Sequence, residues 1–141
     1  KNDSWRLTGT PEHCDPVHFI QMWVLPDTPG INPGYQQLDI NDQLDSTGLA
    51  VVASGLAEHS HTTAIHIAQS RAGLLAGRLA PGERQGLPTA PRLHLFVAVG
   101  AVELESGERL EAGDSARMSE SGGIAVTAGS AGAEILVWQM H

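Results

Sequence analysis

From Leu49 to the end of the chain no stretch keeps an apolar stripe at helical spacing for three turns; short apolar segments recur instead, each closed by a turn signal. Leu49–Ala53 ends at Ser54-Gly55, and Ala64–Ala68 puts Ile65 and Ile67 on one face. Leu74–Leu79 closes on Pro81-Gly82-Glu83, and Leu93–Val99 carries the strongest strand pattern. Val102–Glu105 and Arg109–Glu111 flank Ser106-Gly107 as a tight hairpin, and Ala112-Gly113-Asp114 turns the chain again. Ile124–Thr127 and Glu134–Met140 follow, and over the whole chain the count is about ten short strands at hairpin spacing, the pattern of an all-β sandwich, barrel or jelly roll.

With 141 residues there is enough chain for one domain with a proper core and too little for two. Aromatics are scarce at 4% and glycines number 16, so small and β-branched side chains must fill that core. The net charge of −8 repels phosphate backbones, and no Lys/Arg cluster offsets it, which argues against direct nucleic-acid binding. The longest apolar runs, Phe19–Leu25 and Leu93–Val99, are too short to span a bilayer, so no membrane partner is expected. Cys14 is the only cysteine, which rules out an intrachain disulfide and suits a reducing cytoplasm. The start, Lys1-Asn2-Asp3-Ser4, has neither an initiator methionine nor an apolar leader, so we expect a chain that begins partway into a larger product or has been trimmed.

Residues 1–16 are polar and turn-rich and read as a linker or arm; residues 17–141 read as the single domain. The domain opens with Val17–Leu25, apolar on both faces, as expected of a buried strand or one packed against a second body. Pro26-Asp27-Thr28-Pro29-Gly30 ends it, and Asn32-Pro33-Gly34 adds a turn. His18-Phe19-Ile20-Gln21, Trp23 and Pro26, followed by Pro29-Gly30, Pro33, Tyr35 and Gln37, resemble the opening of the second domain in pirin-family bicupins. Thr63–Ala68, Arg78–Glu83, Leu110–Asp114 and Glu134–Trp138 resemble later segments of the same layout. The resemblance implies an all-β cupin-type β-barrel (a jelly roll, or double-stranded β-helix) with an N-terminal strand arm. It also implies that the family's three-His-one-Glu metal site, for iron, nickel, zinc or a similar ion, belongs to an N-terminal cupin that precedes this sequence. No family ligand falls on any residue here, and no catalytic or cofactor-binding residue is expected.

The residues themselves offer one metal candidate. His59-Ser60-His61 with His66 mimics a cupin metal motif, since two imidazoles two residues apart point the same way from a strand. Against it, the third residue is His rather than Glu, and its odd offset from His61 turns it to the other strand face. Glu58–Thr63 is wholly polar and reads as an exposed loop, which is also where the family layout places it. Where an active cupin's ligands should stand, the chain offers Gln85, Gly86, Leu87, Pro88 and Thr89, then Leu93, and finally Arg117, Met118, Ser119 and Glu120. Such residues pack a barrel rather than bind an ion.

His94, alternating with Phe96 and Ala98, is expected to be a hydrogen-bonded structural histidine, and His18 likewise. Cys14 beside His13 raises an activated thiol, but neighbours in an extended chain point apart. Glu103, Glu105, Glu108 and Glu111 read as a solvated face, and Trp5, Trp23 and Trp138 as core or interface anchors.

Three functions follow as expectations. The leading one is a C-terminal, non-metal-binding cupin half that supports the N-terminal catalytic cupin of a quercetin 2,3-dioxygenase-like oxygenase by interdomain packing. Isolated, such a half would self-associate through Val17–Leu25 into a homo-oligomer such as a dimer. The alternatives are a stand-alone mononuclear-metal dioxygenase using His59, His61 and His66, and a regulatory module whose acidic surface takes a basic protein partner.

Overall fold

The computed structural model describes residues 18–46 and 48–141. Among these residues eight strands are present: β1 (Leu49–Ser54), β2 (Ile65–His66), β3 (Ala72–Leu79), β4 (Arg84–Gly86), β5 (Ala90–Leu104), β6 (Arg109–Glu111), β7 (Ser115–Ser121) and β8 (Ala125–Met140). They form one sheet in the order β2-β1-β3-β8-β5-β6, with β4 also beside β8 and β7 also beside β5. All recorded pairs are antiparallel except β1 with β2.

Two strands are far longer than expected, because β5 joins two sequence segments and β8 joins two more. Each changes the phase of its inward residues partway along. In β5 the large buried side chains run Leu93, Leu95, Val97 and then Val102, Leu104, with Ala101 also buried where the phase changes. In β8 they run Val126, Ala128 and then Ala133, Ile135, Val137, Gln139. Register shifts between Val97 and Val99 and between Gly100 and Val102 account for the change. A slip of one residue turns a strand's whole inward set to the other face, and the bulge bends the strand as it does so. Gly100 and Gly132 sit at the bend with φ of 75° and 77°, a region that only glycine enters without strain. The bent β5–β8 ribbon thus folds around a core of Leu75, Leu79, Leu87, Leu93, Leu95, Val97, Val102, Leu104, Leu110, Val126, Ile135 and Val137.

The Ser106-Gly107 hairpin forms as expected, pairing Val102 with Leu110 and Glu103 with Arg109. Among the described residues a short α-helix, α1 (Asn41–Ser46), has no counterpart in the sequence reading, because six residues are too few to show a period. The Asp39 carboxylate accepts the Asn41 backbone N–H at 3.0 Å, and Arg78 of β3 donates to Asp45 at 2.8 Å and to Glu134 at 2.9 Å.

The expected opening strand is corrected. Val17 lies outside the described residues, and residues 18–25 form no strand. They run beside the outward side chains of the central strands, where no sheet edge offers them backbone partners. The chain is fastened just beyond, where the Asp27 N–H donates to Ala68 O at 2.8 Å and Asp27 Oδ2 accepts the Ser70 N–H at 2.6 Å.

Candidate functional site

One row of residues crosses the inner face of five strands. Ser54 of β1 is opposite Gly73 of β3, Gly73 is opposite Gln139 of β8, Gln139 is opposite Leu93 of β5, and Leu93 is opposite Met118 of β7. The row is polar at the β1 end and apolar at the β7 end. Ser54 and Gln139 are 1% and 4% exposed and are the two buried polar side chains among the described residues. Each therefore needs a partner, since an unsatisfied buried polar group costs about 1–3 kcal/mol.

The 3-10 turn Ala57–His59 brings those partners over the end of the core. Ser54 Oγ accepts the Leu56 N–H at 3.0 Å and lies 2.9 Å from His59 Nδ1. Gln139 Nε2 donates to Glu58 Oε1 at 2.8 Å and lies 3.1 Å from His141 Nε2. Glu58 Oε1 is 3.7 Å from His59 Nε2, which links the two halves of the cap. A serine, a histidine and a glutamate in sequence have the look of a nucleophile relay, yet Ser54 is sealed beneath the sheet end and its oxygen is already engaged. The cap satisfies buried groups rather than presenting them to a substrate.

His59 is half-buried in this cap rather than in the solvated loop expected of Glu58–Thr63, because Ser54 gives its ring an inward partner. His61 is exposed in the following turn, and His66 is exposed on β2 with its backbone N–H on Gln36 Oε1 at 3.1 Å. These three histidines do not meet at one centre, and among the described residues no three His, Cys, Asp or Glu side chains converge to hold a metal ion. At the positions where a cupin's ligands are expected from the sequence, Leu93 is 1% exposed in the core and Met118 packs on that core from the opposite strand. Leu87 is buried with them, and Gln85 sits on β4 opposite Val126. This donor set does not fit a mononuclear metal, which needs several nitrogen or carboxylate ligands.

The outer face has a different chemistry. His94 is opposite Trp138 on one side and Arg117 on the other, so Trp138, His94 and Arg117 form an outward row; Arg92 stands two residues before His94 and opposite Met140. Unlike the hydrogen-bonded His94 expected, its half-buried ring has no hydrogen-bond partner among the described residues, the indole N–H of its neighbour Trp138 being turned to Met22. The Trp138 indole N–H donates to Met22 Sδ at 3.0 Å. Trp23 is 88% exposed and so is not a core anchor. Glu103, Glu105, Glu108 and Glu111 lie exposed as a solvated face. Cys14, His13 and Trp5 lie outside the described residues.

Sequence reasoning passed over Ser54, Gly73, Gln139 and His141. One signal was available: Gln139 continues the inward alternation of Ile135 and Val137, and a lone polar residue in a core phase marks a buried hydrogen-bond site.

A bent, almost all-strand sheet wrapped around one apolar core, closed at one end by a polar cap, defines a cupin-type domain. Residues 51–140 match the family described as the quercetinase C-terminal cupin domain, and the chain belongs to that family. Proteins with the name "Putative quercetin 2,3-dioxygenase" in Mycobacterium bovis and Mycobacterium tuberculosis are 44% identical over 127 residues, covering 90% of this chain and 51% of theirs. The chain thus spans about half the length of the curated relatives it matches. The fold is similar to that of Escherichia coli YhhW, with a TM-score of 0.70 at 21% identity over 84% of this chain and 48% of that one. A structure of the same protein, described as a bacterial pirin in complex with nickel(II), gives a TM-score of 0.68 over the same shares. Escherichia coli YhaK follows at 0.55 and 19% identity, over 66% of this chain and 41% of that one. Among the described residues no helix is long and apolar enough to cross a membrane.

Proposed function

We propose that this chain is the non-catalytic C-terminal half of a two-cupin protein, packing on an N-terminal cupin that holds the mononuclear metal. The whole protein would then act as a quercetin 2,3-dioxygenase-like oxygenase, with this half shaping and shielding the site. The observation that carries the reading is the inner row: Leu93 and Met118 face one another where a metal-binding cupin presents ligands. The exposed apolar run supports the packing role. Phe19, Trp23 and Leu25 are 69%, 88% and 83% exposed, a surface that a second domain would cover. In isolation the same surface drives self-association. The single cysteine, Cys14, fits a cytoplasmic protein.

Two measurements test this. Elemental analysis of the chain after exposure to excess iron, nickel and zinc, then desalting, is expected to find almost no metal. About one tightly held ion per chain, lost on replacing His59 and His61 together, would overturn the reading in favour of a stand-alone metal cupin. Titrating the chain with the separately produced N-terminal cupin is expected to give a one-to-one complex weakened by Trp23→Glu. No association, or association indifferent to that substitution, would remove the packing role.

A further inference from the structure

The geometry points to a small-molecule site on the outer face that takes a planar aromatic anion of the arenecarboxylate or phenolate class. A groove of about 480 Å³ lies between residues 20–24 and the sheet, with Met22, Trp138, Met140, Phe96 and His94 among its walls. That volume suits one small ligand, and aromatic and thioether walls favour a flat ring.

Three polar features lie in its wall or next to it. The Trp138 indole N–H is held only by a thioether sulfur, a weak acceptor that an oxygen would displace. The His94 ring, in the groove wall, has no hydrogen-bond partner among the described residues. Arg117, opposite His94, and Arg92, two residues before it on the same face, are exposed and make no ion pair with any described residue. In a chain of net charge −8, two guanidiniums in register with His94 and Met140 of the groove wall make a local positive field beside an apolar slot. A ring sliding between Trp138 and Phe96 would bring an ionised oxygen to this cluster, where a guanidinium can grip it with two N–H groups. The groove shares Trp23 with the surface proposed above to pack on the N-terminal cupin, whereas Trp138, His94, Arg92 and Arg117 belong to the sheet, so the ligand site and the packing role are read out by different substitutions.

The test uses 2-naphthoate and its neutral counterpart 2-naphthamide, titrated calorimetrically into the full chain, with the Trp138 indole N–H followed by NMR. We expect one naphthoate per chain, a moved Trp138 resonance, and affinity at least about tenfold lower in Arg92→Gln/Arg117→Gln, while naphthamide affinity stays the same. Both arginines are exposed and unpaired, so that variant is expected to fold normally; for the unaltered chain, naphthoate but not naphthamide affinity should also fall as salt rises. No saturable binding, binding indifferent to the arginines and to salt, or binding that leaves Trp138 unmoved would each overturn the proposal.

Discussion

The Ser54 hydroxyl and the His59 ring meet at 2.9 Å because residue 73 has no side chain. A Cβ on Gly73 would stand 2.9 Å from Ser54 Oγ and 3.0 Å from His59 Nδ1. Gly73→Ala is therefore expected to destabilise the fold by about 1–3 kcal/mol, read by urea denaturation. Adding His59→Ala should recover part of that loss, because the ring is one of three obstacles, with Ser54 Oγ and Leu56 Cδ1; strictly additive effects would show that the ring is not what occupies the space.

Leu93, at the position where the cupin resemblance leads one to expect a ligand, is a core residue at 1% exposure. Leu93→Ala should cost about 2–5 kcal/mol, the range for a large-to-small change in a packed interior. A shift below about 0.5 kcal/mol in the same denaturation experiment would mean that the row is looser than its burial implies.

Gly100 holds φ at 75° and faces the Gly132 carbonyl so closely that an added Cβ would overlap it. Gly100→Ala meets both the backbone penalty, about 1–3 kcal/mol, and that overlap. It should lower the melting temperature more than Gly107→Ala, where φ is 86° but the space beside the Cα is open. Thermal denaturation of the two variants separates backbone strain from steric overlap.

Asp27 fastens the segment after residues 18–25 to the Ser70 N–H, and that hydrogen bond is the main reason its pKa is lowered from 3.8. Because the folded value lies below the unfolded one, the stabilisation is present above pH 3.8 and is lost as pH falls through the lowered value. Hydrogen exchange at the Ser70 amide should therefore gain an additional acceleration in strong acid. Asp27→Asn should remove that acid-dependent component; a pH profile unchanged by the substitution would contradict the assignment.

Strand content and most turns were legible in the sequence because they depend on local chemistry. The Ser106-Gly107 and Ala112-Gly113-Asp114 turns formed where glycine permitted them, and Leu93–Val99 showed its alternation openly. The merging of two segments into β5, and of two more into β8, was not legible. A bulge reads in sequence as a break in alternation, indistinguishable from the end of a strand. The opening block misled in a related way: Val17–Leu25 has the composition of a strand, but hydrogen-bond partners decide a strand, and residues 18–25 lie beside a sheet face instead of an edge.

The same division holds for the sites. The residue types alone set the all-β class, the family resemblance and the lack of ligand-type side chains at Leu87, Leu93 and Met118. Only the tertiary structure could pair Ser54 with His59, Gln139 with Glu58, and Trp138 with both Met22 and His94. Apart from Ser54 and His59, those partners lie far apart along the chain. Local sequence governs turns and periodicity, whereas which distant side chains meet is set by strand register and by the bend at Gly100 and Gly132.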